Sequence, residues 1–317
     1  MDVLFLDRGS LATLHALRAA AAGGYRADIA AAGPTLAAHS RFCRRRLAAP
    51  PESERAAYGD FLVATARAGR YVAFIPSAED QVALLATRRE EIAPHLPVFA
   101  PPPSRCALVS DPARLGVHAG ALGLRLGRAT SARFVVNAAF DAGRPLGLCA
   151  HEEQGGRAVT AFEAKPILAA LALGESLEIT GLVSFEFSEV TGDERGLFRV
   201  ALGVPASIDV ARVAGVDLIG RLLRLARGEV LEPTIAFPTG VSYHWLFQRD
   251  ARRDLRRAAG LGAVLAPGGV SEVGLDDPPA LLFAVRRAAR DLSRSLKTYL
   301  GKSDAPKLPA NEIESAP

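Results

Sequence analysis

Residues 182 to 207 read LVSFEFSEVTGDERGLFRVALGVPAS, and they place one carboxylate where apolar side chains are expected. Strand alternation puts Glu186 on the opposite face from Phe185 and Phe187, and a half-buried carboxylate requires a cation, a metal ion or hydrogen-bond donors. Two apolar runs flank VTGDERG, whose glycines and charges mark a turn, so the stretch reads as a β-hairpin. The return strand offers Arg199 among Leu, Phe, Val and Ala. Glu186 is therefore either a structural carboxylate paired with Arg199 or a ligand of a hard cation; the ion pair is the usual arrangement for such a group.

A second candidate grouping is Arg41, Ser77 and Glu79, which can gather as a small-ligand crevice at the carboxyl ends of N-terminal strands. His39, His118, His151 and His244 show no ligand spacing with one another and read as satisfied or surface histidines. The stretch HEEQGG, with His151, Glu152 and Glu153, reads as a polar loop rather than an acid–base site. Gly301-Lys302-Ser303 ends like a phosphate-binding loop, but Leu296 stands where its first glycine belongs and no strand precedes it. The chain has no Gly-x-Ser-x-Gly elbow, no Cys-x-x-Cys and no Gly-x-Gly-x-x-Gly after a strand. Cys43, Cys106 and Cys149 are far apart and odd in number, which fits neither a disulfide framework nor a zinc cluster.

Composition narrows the classes further. With 317 residues and 49% hydrophobic side chains the chain can bury a core and is long enough for two domains. No run of eighteen apolar residues occurs, and MDVLFLDRGS reaches Asp7 and Arg8 before a signal-peptide core could form, so a cytoplasmic protein without membrane association is expected. The net charge of +4 is spread along the chain without interleaved aromatics, a solvated surface rather than a nucleic-acid face. Lys165, Lys297, Lys302 and Lys307 are the only lysines, which restricts any chemistry that uses an amine to hold phosphate.

The elements that must position these residues begin with DVLFLD as a strand, then Ser10 as N-cap of an alanine-rich helix to Ala22, stopped by Gly23-Gly24. ADIAAAG is a second strand, ESERAAYGDFLVATARAG a helix, YVAFIP a strand, and Ser77 caps a helix through SAEDQVALLATRREEI. Strands alternating with helices predict a parallel sheet. The proline-rich VFAPPPS breaks that pattern, so a domain boundary is expected near residue 105. Beyond it come a helix with Ser110 or Asp111 as cap and Pro112 at its first position, a hairpin across RFVVNAAFD and LGLCAH, and a helix over AKPILAALALGES. After the Glu186 hairpin, SIDVARVAGVDLIGRLLRLARG reads as one helix, followed by helical stretches around DARRDLRRAAG and PALLFAVRRAARDLSRSLKTYL. The arginine face of the latter reads as solvated, and residues 301–317 as a disordered tail.

This order, with DVLFLD, HSRFCRRRLAAP and IPSAEDQVALL in the first half and GLVSFEF, TGDERG and SIDVARVAGVDLIGRLLRLARGE in the second, resembles the ATP-grasp superfamily, in particular bacterial carbamoyl-phosphate-synthase-like carboxylate–amine ligases. The resemblance implies an α/β chain: a Rossmann-like pre-ATP-grasp domain over 1–105, a reduced α+β ATP-grasp-like domain over 106–300, and the tail. Members of that family activate a carboxylate with ATP, holding the phosphates with lysines and Mg²⁺. Here Asp111-Pro112 stands where the resemblance implies Asp-Lys, and Arg128-Ala129-Thr130 passes straight to SARFVVNAAFDAGRP, so the lid subdomain with the second lysine is expected to be missing. Glu186 matches the first implied magnesium ligand, whereas Arg199, Ala201 and Gly203 fall at the second Glu, the Asn and a following arginine. The expectation is a non-catalytic binding or partner subunit without cofactor, paired with an intact relative or with itself. The alternative is an ATP-dependent carboxylate–amine ligase that uses ATP and Mg²⁺ with atypical residues.

Overall fold

The computed structural model describes residues 1–128, 132–155, 157–190, 194–245, 270–271, 277–280, 282–283 and 286. Strands β1 (Asp2–Leu6), β2 (Arg26–Ala31), β3 (Cys43–Ala48) and β4 (Ala73–Pro76) form a parallel sheet in the order β3-β2-β1-β4. Val3 to Leu6 are inaccessible on both faces, as a near-continuous apolar run in a covered parallel sheet should be. Helices α1 (Leu11–Ala22), α2 (Arg55–Arg67), α3 (Glu79–Thr87), α4 (Arg89–Ile92), α5 (Pro103–Val109) and α6 (Pro112–Ala121) accompany it. The expected caps of α1 and α6 are present: Thr13 N–H donates to Ser10 Oγ at 3.2 Å, and Asp111 Oδ1 accepts from Ala113 and Arg114 at 3.0 and 3.2 Å.

The second sheet has the order β11-β10-β7-β6-β5-β8-β9, from β5 (Ala132–Asp141), β6 (Arg144–Gln154), β7 (Arg157–Thr160), β8 (Gly181–Glu189), β9 (Arg195–Leu202), β10 (Ser242–His244) and β11 (Val270–Ser271). It is antiparallel apart from the short β10–β11 pair. One face packs under α7 (Ala164–Ser176), where Phe134, Val136, Phe140, Phe185 and Phe187 are buried and the rings of Phe140 and Phe185 meet edge to face at 6.2 Å. The other face is covered at one end by α8 (Ile208–Val213) and α9 (Leu218–Leu225) and is open at the other. The chain is thus a mixed α/β protein with a parallel sheet followed by an antiparallel one, as expected.

The two sheets meet at the end of β9. Val204 N–H donates to Pro76 O at 3.1 Å, and Gly203 adopts a φ of +97°. A Cβ there would lie 3.1 Å from both Ala78 N and Pro76 O, so only glycine lets the hairpin approach the turn after β4 this closely.

Three expectations need correction, and one strand was not foreseen. The helix read across SIDVARVAGVDLIGRLLRLARG is two helices, because Gly215 turns left-handed at φ +81° and Asp217 starts a new cap, accepting from Gly220 N–H at 2.8 Å. Ser77 is not the cap of α3; Ala78 holds that position, and the Gln81 side chain accepts from Ser77 N–H at 2.8 Å instead. RREEI forms the separate turn α4. β3 carries three consecutive exposed arginines at a sheet edge, so no apolar period marked it as a strand. The stretch DARRDLRRAAG from Ala251 onward, most of PALLFAVRRAARDLSRSLKTYL and the 301–317 tail lie outside the described residues.

Between the end of α6 at Ala121 and the start of β5 at Ala132 the connection spans residues 122 to 131. It is pinned to β9: Leu197 N–H donates to Arg125 O, and Gly127 N–H to Leu197 O, each at 2.8 Å.

Candidate functional site

The open end of the antiparallel sheet and the turn after β4 enclose a cleft of about 490 Å³. Its floor follows from strand alternation. Because Phe134, Phe185 and Val200 point under α7, their neighbours Arg133, Val135, Glu186 and Arg199 face the cleft. The register sets them in rows: Val135 lies beside Glu186, Glu186 beside Arg199, and Ser184 beside Ala201. The wall is the first turn of α3, with Ser77, Glu79 and Asp80, together with Arg8 after β1. Asn137, fully buried, donates to Ser207 O and Oγ at 3.1 and 2.9 Å and fixes the loop that closes the far side.

Glu186 and Arg199 are cross-strand partners in register, yet they do not form the expected ion pair. Glu186 Oε2 is bound by Arg133 at 2.5 Å, from the diagonal position on β5, while Arg199 crosses the cleft to Glu79 Oε1 at 2.7 Å. Burial works against the Arg199 charge, and the hydrogen bond it donates to Glu79, with Glu186 nearby, more than restores it, so its pKa lies above the usual arginine value. Arg133 was the missed residue; it precedes a strand pattern that reads only as core, and nothing local marks its partner, fifty-three positions away.

Of the crevice grouping, Ser77 and Glu79 line this cleft and Arg41 does not. Arg41 is exposed, with its guanidinium over the Phe42 ring at 4.6 Å and its backbone N–H on Asp277 Oδ1 at 3.0 Å. Arg8 takes the place assigned to it, binding Glu52 at 2.6 Å and Asp80 at 2.8 Å.

The histidines divide. His39 is bonded to Thr35 O at 2.7 Å, His118 to Ser176 Oγ at 3.1 Å and His244 to Ser242 Oγ at 3.3 Å, as satisfied histidines should be. His151 differs, and HEEQGG is not simply a loop: its first four residues complete β6. His151 is fully buried with neither ring nitrogen bonded among the described residues, and burial lowers its pKa to about 3. A further buried cluster, at the junction of α1, α8 and β10, sets His15 Nδ1 3.3 Å from Asp209 Oδ2, which also accepts from Tyr243 Oη at 2.7 Å.

The cleft can bind a ligand that presents both charges. Its lining includes Arg8, Arg133 and Arg199 beside Glu79, Asp80, Glu153 and Glu186, so a phosphate must displace a carboxylate from an arginine already engaged. A divalent cation meets Glu186 alone on the hairpin, beside a competing guanidinium, whereas a hard octahedral ion needs several oxygens. Among the described residues no group of three His, Cys, Asp or Glu side chains is arranged to hold a metal ion. The donor set present does not fit a catalytic Mg²⁺ site. No helix of the described residues is long and apolar enough to cross a membrane.

No protein-family model and no curated protein matches the sequence. Solved structures do match the fold. The biotin carboxylase domain of a single-chain bacterial carboxylase aligns over 74% of this chain and 71% of its own, with TM-score 0.55 and 17% identity. The biotin carboxylase domain of Hydrogenobacter thermophilus 2-oxoglutarate carboxylase, solved with MgADP and bicarbonate, aligns over 76% and 73%, with TM-score 0.57 and 11% identity. An L-amino acid ligase from Bacillus licheniformis aligns over 71% and 74%, with TM-score 0.54 and 10% identity. With its parallel sheet followed by an antiparallel one, this chain shares the ATP-grasp fold of these structures.

Proposed function

We propose that this chain is a non-catalytic binding or partner subunit built on the ATP-grasp fold. One observation carries the reading: the cleft-facing positions of the hairpin hold Glu186, Arg199, Ser184 and Ala201, with Glu186 neutralised by Arg133 and Arg199 by Glu79. Phosphoryl transfer depends on positioned cations and metal-held phosphates, and these side chains supply one carboxylate to a metal and no lysine to a phosphate. Lys165 is exposed on α7, which covers the opposite face of the sheet.

The short connection between α6 and β5 supports the loss of a lid subdomain in our reading. Around it Val117, Leu122 and Leu126 are 78%, 39% and 53% exposed, apolar surface of the kind that a partner covers. We take that partner to be an intact relative or a second copy, and we keep the domain division near residue 105. The second reading, an ATP-dependent carboxylate–amine ligase with atypical residues, is favoured by the fold of the amino acid ligase above and by the zwitterionic character of the cleft.

The deciding experiment incubates the full chain with Mg·ATP and pooled carboxylic and amino acids, and measures ADP and AMP. The proposal expects no nucleotide turnover and no calorimetric binding of ATP at millimolar concentration. Turnover that depends on an added acid establishes the ligase instead.

A further inference from the structure

A second crevice, of about 810 Å³, opens at the carboxyl ends of the parallel strands, lined by the residues that follow β1, β2 and β3. Ends of parallel strands are where open α/β sheets hold ligands. Asp7 lines it and is 3% exposed. Its Oδ1 accepts from Gly9 N–H at 2.8 Å, which fixes the carboxyl group, and its Oδ2 has no hydrogen-bond partner among the described residues. A buried carboxylate oxygen without a donor is costly, so one left in place on a residue that lines a cavity points to a missing partner.

The neighbouring charges say what that partner is. Glu52 also lines the crevice and is satisfied, accepting from Gln81 at 2.5 Å and pairing with Arg8 at 2.6 Å. Arg8 is the cation that lines the crevice, and it is already divided between Glu52 and Asp80. Among the described residues no cation pairs with Asp7. Burial raises the pKa of Glu52 above the usual carboxylate value, against the lowering effects of the Gln81 hydrogen bond and Arg8. A divalent metal gains little from a single free oxygen. A neutral hydroxyl would satisfy the hydrogen bond and leave the charge uncompensated. Pro34, Pro51, Tyr58 and Phe283 give the same crevice apolar walls for a short carbon chain.

We infer that this crevice binds a small molecule carrying a primary ammonium group, held at Asp7 Oδ2 with its alkyl part against Tyr58 and Phe283. The site shares Arg8 with the Glu186 cleft and does not depend on whether that cleft turns over ATP.

Calorimetry on the full chain with putrescine as probe and 1,4-butanediol as the uncharged match tests it. Putrescine should bind saturably at one site and the diol should not. Asp7→Asn should weaken putrescine by about tenfold to a hundredfold, the range of a charge-assisted hydrogen bond. Gly33→Trp supplies a variant with the carboxylate intact: a Cβ at Gly33 has nothing within 4 Å, and its backbone is not left-handed. The indole should fill the crevice and abolish binding while the melting temperature holds, so a loss there is independent of any instability in Asp7→Asn. Absence of putrescine binding at about 10 mM, equal affinity for the diol, or unchanged binding in both variants overturns the assignment.

Discussion

The two faces of the strands β5, β6, β8 and β9 carry opposite chemistry on the same backbone. Under α7 the side chains are Phe134, Val136, Phe140, Phe185 and Phe187, held by area removed from water. One residue away along each strand are Arg133, Asn137, His151, Glu186 and Arg199, whose arrangement depends on which charge reaches which. The apolar face tolerates little change in shape, because interiors are close-packed; even Gly174 of α7 lies so near Phe140 that a Cβ would meet the ring at 2.4 Å. The polar face admits rearrangement, because its ion pairs are partly solvated and long side chains can choose among partners.

The largest expected difference between the faces comes from Phe185→Ala, which should cost about 3–5 kcal/mol by leaving a cavity beneath α7. Urea unfolding measures it, and a loss below about 1 kcal/mol would mean that the core relaxes around the gap.

His151 tests the buried part of the polar face. Its folded pKa is lowered to about 3 by burial against an ordinary value of 6.5, so the unfolded chain binds the proton first. The stability it contributes is fully present above pH 6.5 and is lost as pH falls toward 3. His15, lowered to about 4, acts in the same direction. Between pH 7.5 and 4.5 the His151 share is roughly 2–3 kcal/mol, and His151→Leu should remove that share of the pH dependence while leaving the part carried by His15. An identical slope in wild type and variant would show that His151 takes up its proton over the same pH range folded as unfolded.

The smallest effect belongs to the cleft. Glu79→Gln should change stability by less than about 1 kcal/mol, since Arg199 and Glu79 side chains are 50% and 31% exposed. A double-mutant cycle with Arg199→Gln measures the coupling across the two sheets. A value well above 1 kcal/mol would make this pair a clamp between the sheets rather than a solvated contact.

Much of the fold was legible locally. The caps at Ser10 and Asp111, the stop at Gly23 and the β8–β9 hairpin follow from residue types at fixed offsets, and the structure has them. The face occupied by Glu186 was legible too, because a strand alternates with period two. The Arg-rich strand β3 was not, since an exposed edge carries no apolar period. HEEQGG read as a loop from its polarity, although its first residue is buried within a strand. Arg41 was expected as the crevice cation, and only the tertiary structure brings Arg8 to Glu52 and Asp80 while leaving Arg41 outside.

By itself the sequence determined that Glu186 lies on the opposite face from Phe185 and Phe187, how few lysines exist, and that the hairpin offers Glu186, Arg199 and Ala201. These depend on periodicity and composition, which are local. The tertiary structure alone decided that Glu186 belongs to Arg133, that Arg199 reaches Glu79, and that Asp7 Oδ2 has no partner among the described residues. Ion pairing over several ångströms is settled by the register between β5 and β8 and by the close approach at Gly203 of two sheets far apart in the chain. No local pattern of residues encodes either.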